Sequence, residues 1–403
     1  MLASAIAAAS DNDVTLLEKN GKVGKKLYIT GKGRCNVTNY CAPSEFLENV
    51  VTNPKFLMSA VYSFPPEALM RIIEEEGVPL TVERGDRVFP SSGKSSDIIR
   101  ALQQFCARNK VKIQLNCTVF SIFKRENVFH IKTSEGEYTA DRVIIATGGV
   151  SYPLTGSTGD GYTFAKSFGH SLVKPKPSLC ALILKENYIK ELEGLSLKNV
   201  TASVFSGDKI AASEFGEMLF TSNGVSGPII LTLSAYINKL IDGGKKLVLS
   251  IDLKPALSLE QLDNRIINDF KLNTNKEFKN SLNDLLPRKL IPVIVALSDI
   301  TPETKVNVIS AEKRKNLAFL LKNLNFNVRS LDKIDAAVIT SGGISVKEVN
   351  PKTMESKLVS GLYFAGEVLD VDALTGGYNL QIAFSTAYAA AKAAGSNIAS
   401  NAE

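Results

Sequence analysis

The segment Gly361–Ala390 contains residue types suited to binding a polar, partly anionic ligand. Leu362–Ala365 predicts a short buried strand, and two carboxylates, Asp370 and Asp372, follow it in a loop. Two consecutive glycines then let the backbone approach another group closely, and an alanine-rich helix begins near Asn379. Carboxylates accept hydrogen bonds from hydroxyl groups, whereas a helix N-terminus attracts negative charge. The segment predicts a ligand site, and an ordinary glycine-rich turn is the alternative.

The N-terminus has the pattern of the second half of a βαβ nucleotide-binding unit. Leu2–Ser10 predicts a helix, and Val14–Lys19 predicts a strand that contains the acid Glu18 near its end. In such units this acid binds a ribose hydroxyl group, and the preceding strand leads into a G-x-G-x-x-G loop. Because the chain begins inside the helix, we infer a shortened N-terminus or a start codon assigned too far downstream. An intact protein without that strand would lack a central strand of its parallel sheet.

Two further loops are rich in glycine. Gly21–Asn39 is also basic, which predicts a loop with short helical pieces. Gly31 and Gly33 let its backbone approach a ligand, and Arg34 could bind phosphate through its guanidinium group. A solvated basic loop is the alternative. The second loop follows Arg142–Thr147, a predicted buried parallel strand that ends in two glycines.

The composition of the chain makes several classes of function and partner unlikely. The chain of 403 residues is long enough for two or three domains. Its net charge is +6 and its basic residues are scattered, so we expect no nucleic-acid partner.

Five cysteines without a C-x-x-C pair suggest neither disulfides nor a zinc site, which favours a cytoplasmic location. With His130 and His170 as its histidines, the chain is poorly supplied for metal or Ser-His-Asp hydrolysis, and we expect no metal. We also expect no membrane span.

The order of elements predicts an α/β fold with an insertion. Helices are expected at Pro54–Gly77 and Ser96–Asn109, the second capped by Ser95 or Ser96. A small antiparallel meander is expected from four strands, which are Lys112–Leu115, Thr118–Lys124, Phe129–Thr133 and Tyr138–Ala140.

The inserted part is expected to be rich in strands and then helical. Lys174–Pro177 predicts a linker, and Ser258–Leu324 predicts helices. We therefore expect a nucleotide-binding domain made of residues 1–172 and 339–403, with residues 173–338 inserted on the substrate side.

Several segments taken together indicate a particular protein family more specifically than any one of them does. They are Gly31–Asn39, Ala146–Gly149, Thr340–Ile344 and Gly361–Asn379, with the acid Glu18. In this combination the chain resembles the BaiN-like flavoproteins, a family of bacterial FAD-dependent oxidoreductases that is also labelled the aminoacetone oxidase family. The resemblance covers nearly the whole chain and departs from the family pattern at the absent glycine-rich loop.

The resemblance implies a discontinuous, Rossmann-like FAD-binding domain of the two-dinucleotide-binding flavoprotein type, with an inserted β-barrel-like and helical domain. It implies that Glu18 binds the adenosine ribose, that Val119 lies beside the adenine, and that a helix N-terminus at Gly377–Leu380 faces the flavin ring. The implied cofactor-binding residues are Glu18, Lys19, Arg34, Cys35, Asn36, Val119, Thr147, Gly148, Gly149, Gly366, Glu367, Asp370, Gly377, Tyr378, Asn379 and Leu380.

The implied activity is hydride transfer through FAD, with NAD(P)H as the electron donor and a small organic molecule as substrate. Steroid-like or bile-acid-type enones and small amines are the candidate substrates. A flavoprotein that acts on tRNA, and a shortened chain with impaired FAD binding and no activity, are the alternatives. Cys35 has no cysteine two residues away, so we expect a structural or cofactor-contact role for it. The sequence identifies neither a catalytic acid or base nor an oligomeric state.

Overall fold

The structure is a computed structural model that describes residues 1–396. It divides into two compact units. The first is formed by Met1–Pro177 together with the chain from Ile334 onward, and the second by Ser178–Lys333. The role of the inserted unit stays a prediction.

The first unit begins with short strands and amphipathic helices. Its helices before the insertion are α1 Leu2–Ala8, α2 Lys25–Ile29, α3 Pro43–Glu48, α4 Pro54–Ser63, α5 Pro66–Glu75, α6 Ser95–Arg108 and α7 Asp160–Ser167. Its strands there are β1 Thr15–Leu17, β2 Thr38–Asn39, β3 Val50–Thr52, β4 Leu80–Glu83, β5 Arg87–Pro90, β6 Lys112–Gln114, β7 Val119–Arg125, β8 Val128–Thr133, β9 Gly136–Ala140, β10 Val143–Ile145 and β11 Leu172–Ser178.

The second unit is a closed antiparallel barrel with helices. Its strands follow the spatial order β12-β15-β14-β13-β16-β17, and β17 pairs with β12 to close the barrel. The expected β-barrel-like and helical insertion is therefore confirmed. The strands are β12 Leu182–Leu184, β13 Ser196–Ser206, β14 Lys209–Phe220, β15 Gly224–Ser226, β16 Leu247–Asp252 and β17 Leu324–Leu331. The helices are α8 Pro228–Asp242, α9 Leu259–Leu272, α10 Phe278–Ser281, α11 Ile291–Leu297 and α12 Ala311–Lys322.

The chain then returns to the first unit and completes its core. The remaining elements are β18 Ile339–Ile344, β19 Leu362–Phe364, β20 Asp372–Ala373 and α13 Tyr378–Gly395. Strand β19 pairs in parallel with β10, with Phe364 opposite Ile145, so the strands that precede two of the glycine loops are neighbours. Helix α13 packs on α1, and the alanines at 389–391 of α13 are buried in the core of the first unit.

Three local predictions are wrong. Lys112–Leu115 is not part of the meander, because β6 pairs in parallel with β1, with Lys112 opposite Thr15; only β7, β8 and β9 form the antiparallel meander. Lys174–Pro177 is not a linker but lies in β11, which forms a two-stranded sheet with β18, and prolines are tolerated on such edge strands. The N-cap residue of α6 is Lys94, and the Ser95 hydroxyl donates instead to the carbonyl oxygen of Tyr28 at 2.7 Å.

In the described part of the chain, no helix combines the length and the apolar character needed to cross a membrane.

Closure of the barrel requires a very close contact at Gly224. A Cβ atom there would lie 1.9 Å from the carbonyl oxygen of Leu182 on β12. Gly224→Ala is therefore expected to lower the free energy of unfolding by about 2 kcal/mol or more through overpacking, measured by chemical denaturation. Gly243→Ala, at the end of α8 with its nearest contact at 3.5 Å, is the matched control and should have little effect. Equal stability of the two variants would contradict the close contact between Gly224 and Leu182.

Candidate functional site

The carboxylate of Glu367 is the centre of the polar network in the first unit. Its Oε2 lies 2.8 Å from the ammonium nitrogen of Lys26 on α2. Its Oε1 accepts hydrogen bonds from the backbone N–H of Thr340 at 2.7 Å and from the Ser151 hydroxyl at 3.3 Å. Lys26 also donates to the Ser151 hydroxyl oxygen at 2.8 Å. One side chain therefore joins α2, the loop after β10, strand β18 and the turn after β19.

The glycine loop after β10 fits against this network because it lacks side chains. The Thr340 hydroxyl oxygen accepts hydrogen bonds from the N–H groups of Val150 and Ser151, at 2.9 and 3.2 Å. A Cβ atom at Gly149 would lie 2.4 Å from that same oxygen and 3.0 Å from Oε1 of Glu367. The predicted residues Gly149 and Glu367 are thus brought together.

Glu18 and Lys19, directly after β1, have separate partners. Oε1 of Glu18 accepts hydrogen bonds from the backbone and side-chain nitrogens of Asn20, at 2.8 and 2.7 Å. Within residues 1–396, its Oε2 accepts no hydrogen bond and is available to a hydroxyl group. The Lys19 ammonium lies 2.6 Å from Oδ2 of Asp160 and contacts the Thr158 hydroxyl.

A cavity of about 300 Å³ opens beside Lys19. Strand β7 contributes Val119 and the exposed Phe120, and α7 contributes Phe164. Its lining combines apolar side chains with charged and hydroxyl groups. A flat heteroaromatic ring matches this combination, because its faces are apolar and its edge carries polar atoms.

The N-terminus of α13 is held firmly. A Cβ atom at Gly377 would lie 2.3 Å from the carbonyl carbon of Thr38, so this glycine allows close contact with β2. The Asn379 amide accepts from the N–H of Ala373 at 2.9 Å and donates to its carbonyl oxygen at 2.8 Å. The N–H groups of residues 378–380 begin the 18-residue helix and are fixed in direction. Tyr378 is buried edge-on against Phe46, and burial raises its pKa to about 12.

The GKGRCN loop does not present Arg34 as a free cation. Its guanidinium forms an ion pair with Glu83 and lies over the ring of Phe89, 4.2 Å from the centroid. Cys35 is fully buried in a left-handed backbone conformation, and burial raises its thiol pKa to about 12. A thiol of this kind is unreactive, which agrees with a structural or contact role. Asn36 follows with a buried side-chain oxygen that has no hydrogen-bond partner among the described residues.

The remaining predicted residues lie at the ends of the parallel strands. Thr147 has a buried hydroxyl without a partner in the described part of the chain, and Gly148 follows in a left-handed conformation. The N–H of Gly366 donates to the Thr386 hydroxyl at 2.9 Å. The Asn53 amide donates to the backbone and side-chain oxygens of Asp370, at 2.7 and 3.0 Å. These positions follow β10 and β19, which are hydrogen-bonded neighbours.

These residues fit a dinucleotide cofactor. Two buried side-chain oxygens, on Asn36 and Thr147, are left without partners in segments assigned to the cofactor. Such oxygens are costly unless something binds to them. A free carboxylate oxygen on Glu18, the adjoining cavity and a fixed helix N-terminus supply the other recognition elements of this cofactor class.

Sequence reasoning missed Lys26, Ser151 and Thr340 as members of the site. Lys26 is one of several lysines in a basic loop, and Ser151 follows the two glycines without forming a recognised pattern. Thr340 lies in one of the segments on which the family resemblance depends, and this resemblance is the sequence signal that could have identified it. Their roles depend on Glu367, whose long-range contacts do not follow from local spacing.

A second polar cluster has the composition of a hydrolase triad. Nε2 of His170 lies 2.8 Å from the Ser356 hydroxyl oxygen, and Nδ1 lies 3.3 Å from Oε2 of Glu348 without hydrogen-bond geometry. The Ser356 oxygen also accepts N–H bonds from Leu358 and Val359. All of its acceptor capacity is thus used inside a closed, buried cluster, so its role is structural.

The fold and the site define the class of protein as a Rossmann-type flavoprotein with an inserted barrel. A family model described as the HI0933-like protein Rossmann domain matches residues 1–393. The chain belongs to this family, which is one of FAD-dependent oxidoreductases, and the resemblance to BaiN-like flavoproteins is confirmed.

Named relatives match over almost their whole length. The 3-dehydro-bile acid delta(4,6)-reductase of Clostridium scindens is 31% identical, covering 98% of this chain and 96% of the relative. The ribosomal RNA dihydrouridine synthase of Haemophilus influenzae is 32% identical, covering 97% and 94%. Among solved structures, the 3-ketosteroid-delta4-(5alpha)-dehydrogenase of Rhodococcus jostii has a TM-score of 0.51 at 12% identity, covering 98% of this chain and 94% of that chain. This last similarity shows the fold alone.

The ion pair at the centre of the network can be measured with a double-mutant cycle. Lys26→Met, Glu367→Gln and the double variant are expected to show a coupling energy of about 1 kcal/mol, since both side chains are largely buried. The exposed pair Lys112 and Asp13, changed to Met and Asn, is the control and should show no measurable coupling. Absence of coupling between Lys26 and Glu367 in chemical denaturation would contradict the central position of this pair.

His170 should make the stability depend on pH. Burial lowers its pKa, and Glu348 opposes the shift only partly, so the folded chain favours the neutral ring. The stabilisation is present above the ordinary histidine pKa of about 6.5 and is lost as pH falls through and below it. The stability advantage of the natural chain over His170→Gln should therefore shrink from about pH 7 to about pH 5. A constant difference across that range, measured by denaturation, would contradict this assignment.

Proposed function

We propose that this chain is an FAD-dependent reductase of carbon–carbon double bonds conjugated to a carbonyl group. The names of its relatives support this chemistry. One describes reduction of delta(4,6) double bonds in a 3-dehydro-bile acid, and the other describes formation of dihydrouridine. The uridine ring and a 3-oxo-4,6-diene bile acid share an electron-poor carbon–carbon double bond conjugated to a carbonyl group. This shared acceptor favours enone reduction over the oxidation of small amines.

The observation that carries the proposal is the fixed N-terminus of helix α13. The contact of Gly377 with Thr38 and the hydrogen bonds of Asn379 to Ala373 prevent it from shifting. Bound FAD would supply the hydride, and negative charge that gathers at the helix N-terminus is stabilised by its N–H groups. Donors that are already oriented need no rearrangement when that charge develops.

The adenosine part of the cofactor has its own set of residues in this proposal. The free oxygen of Glu18 would accept a ribose hydroxyl, and the cavity lined by Lys19 and Val119 would hold the adenine. Thr147 and Asn36 would use their unpartnered oxygens to accept hydrogen bonds from the bound molecule or its ordered water. The Glu367 network would hold the surrounding loops in place. NADH or NADPH is the proposed electron donor.

An anaerobic two-step assay tests this function. The chain loaded with FAD is first reduced with NADPH or NADH and then mixed with a 3-oxo-4,6-diene bile acid. The expected result is reoxidation of the flavin together with a product that has gained two hydrogens. The matched control is the same bile acid with its ring double bonds saturated, which should leave the flavin reduced. A flavin that reoxidises equally with both compounds, or with neither, would contradict the proposal.

Ribosomal RNA uridine is the second candidate substrate. The dihydrouridine synthase names support it, as does an exposed group of cations around β4 and β5, namely Arg34, Arg84, Arg87 and Lys94. Glu83 neutralises part of this charge, since it pairs with Arg34. The same assay with a ribosomal RNA transcript in place of the bile acid distinguishes the candidates, because reduced uridine is detectable by nucleoside mass spectrometry.

A further inference from the structure

The barrel unit contains a cavity whose lining residues are all outside the site described above. Its volume is about 260 Å³, and it lies beside strand β13 and the chain that follows β16. Leu197, Leu253 and Leu286 give it a buried apolar wall. Lys198 and Lys254 are also among the residues that line the cavity. The combination of an apolar wall and an ammonium group is suited to an amphiphilic anion.

Lys254 is a half-buried cation that forms no ion pair with any residue in the described range 1–396. The nearby carboxylate of Asp252 pairs with Lys322 at 2.7 Å and accepts the backbone N–H of Lys254 at 2.9 Å. Within residues 1–396, the ammonium of Lys254 donates no hydrogen bond. Burial and the positive charge of Arg265 lower its pKa, opposed by Asp269. Such a cation gains stability from any anion that reaches it.

Strand β13 is irregular where it lines the cavity. The pairing of β13 with β14 shifts register between Leu197 and Val200, which marks a β-bulge. Asn199, within the bulge, has a left-handed backbone with φ of 53°. Bulges redirect side chains and are common beside binding sites. Here the bulge interrupts the ladder where Leu197, Lys198 and Val200 line the cavity.

We propose that this cavity binds a small amphiphilic carboxylate, with the carboxylate on Lys254 and the hydrocarbon chain against Leu197, Leu253 and Leu286. Phosphate fits less well, because no arginine, with its planar fork of N–H donors, is among the residues that line the cavity. At about 30 Å³ for each water-sized group, the volume of about 260 Å³ corresponds to roughly nine such groups. Hexanoate, with six carbons and two oxygens, has a matching size.

The test is a titration of the full chain with carboxyl-¹³C hexanoate, followed by NMR. A saturable shift of the carboxyl signal is expected, and Lys254→Met should weaken binding by about tenfold or more, as expected for loss of a charge-assisted hydrogen bond. Lys246→Met is the matched control, because Lys246 is an exposed lysine of the same unit outside the cavity. It should bind hexanoate as the natural chain does. Both variants are first shown to have the unfolding midpoint of the natural chain.

Two further comparisons separate this site from the flavin site and from non-specific apolar binding. Hexanol, which has the same chain without the charge, should bind much more weakly than hexanoate. Hexanoate affinity should be the same with and without added FAD, so failure of the reductase proposal would leave this site unaffected. The proposal is overturned if hexanoate does not saturate, if hexanol binds equally well, if FAD displaces hexanoate, or if Lys254→Met binds as tightly as Lys246→Met.

Discussion

The ion-paired carboxylate of Glu367 is the interaction on which the site in the first unit depends. Lys26 and Ser151 precede the insertion, whereas Thr340 and Glu367 follow it. Lys26 and Glu367 are 341 positions apart, and their contact at 2.8 Å joins the two separated parts of this unit. A partly buried carboxylate without its cation would be costly, so the pair specifies how these parts meet. The loop after β10 and the turn after β19 gain their positions from the same atoms.

Close contact between backbone segments is the second constraint. At Gly149 any side chain would collide with Thr340, and at Gly377 it would collide with the backbone of Thr38. These glycines therefore serve contacts of the chain with itself. The contact at Gly377 has a consequence for binding, because it fixes the start of α13, whose first N–H groups have no carbonyl partner within the helix.

Local patterns were sufficient for much of the fold. Apolar runs and glycine loops predicted the β10 and β19 strands, and the barrel insertion followed from the family resemblance. Strand partners were harder to predict, because alternation identifies a strand but not its neighbour; β6 pairs with β1 and not with the meander. The prolines of Lys174–Pro177 concealed an edge strand. The partner of Arg34 could not be predicted either, since Glu83 is 49 positions away in the sequence.

The most direct measurement of whether these residues form a flavin site is the visible absorption spectrum of the purified chain, with and without added FAD. Flavin bands that remain with the protein after gel filtration, and that weaken in Glu367→Gln, are the expected result. A chain that stays colourless after incubation with FAD, while its circular dichroism shows it to be folded, would contradict the assignment of these residues to the cofactor.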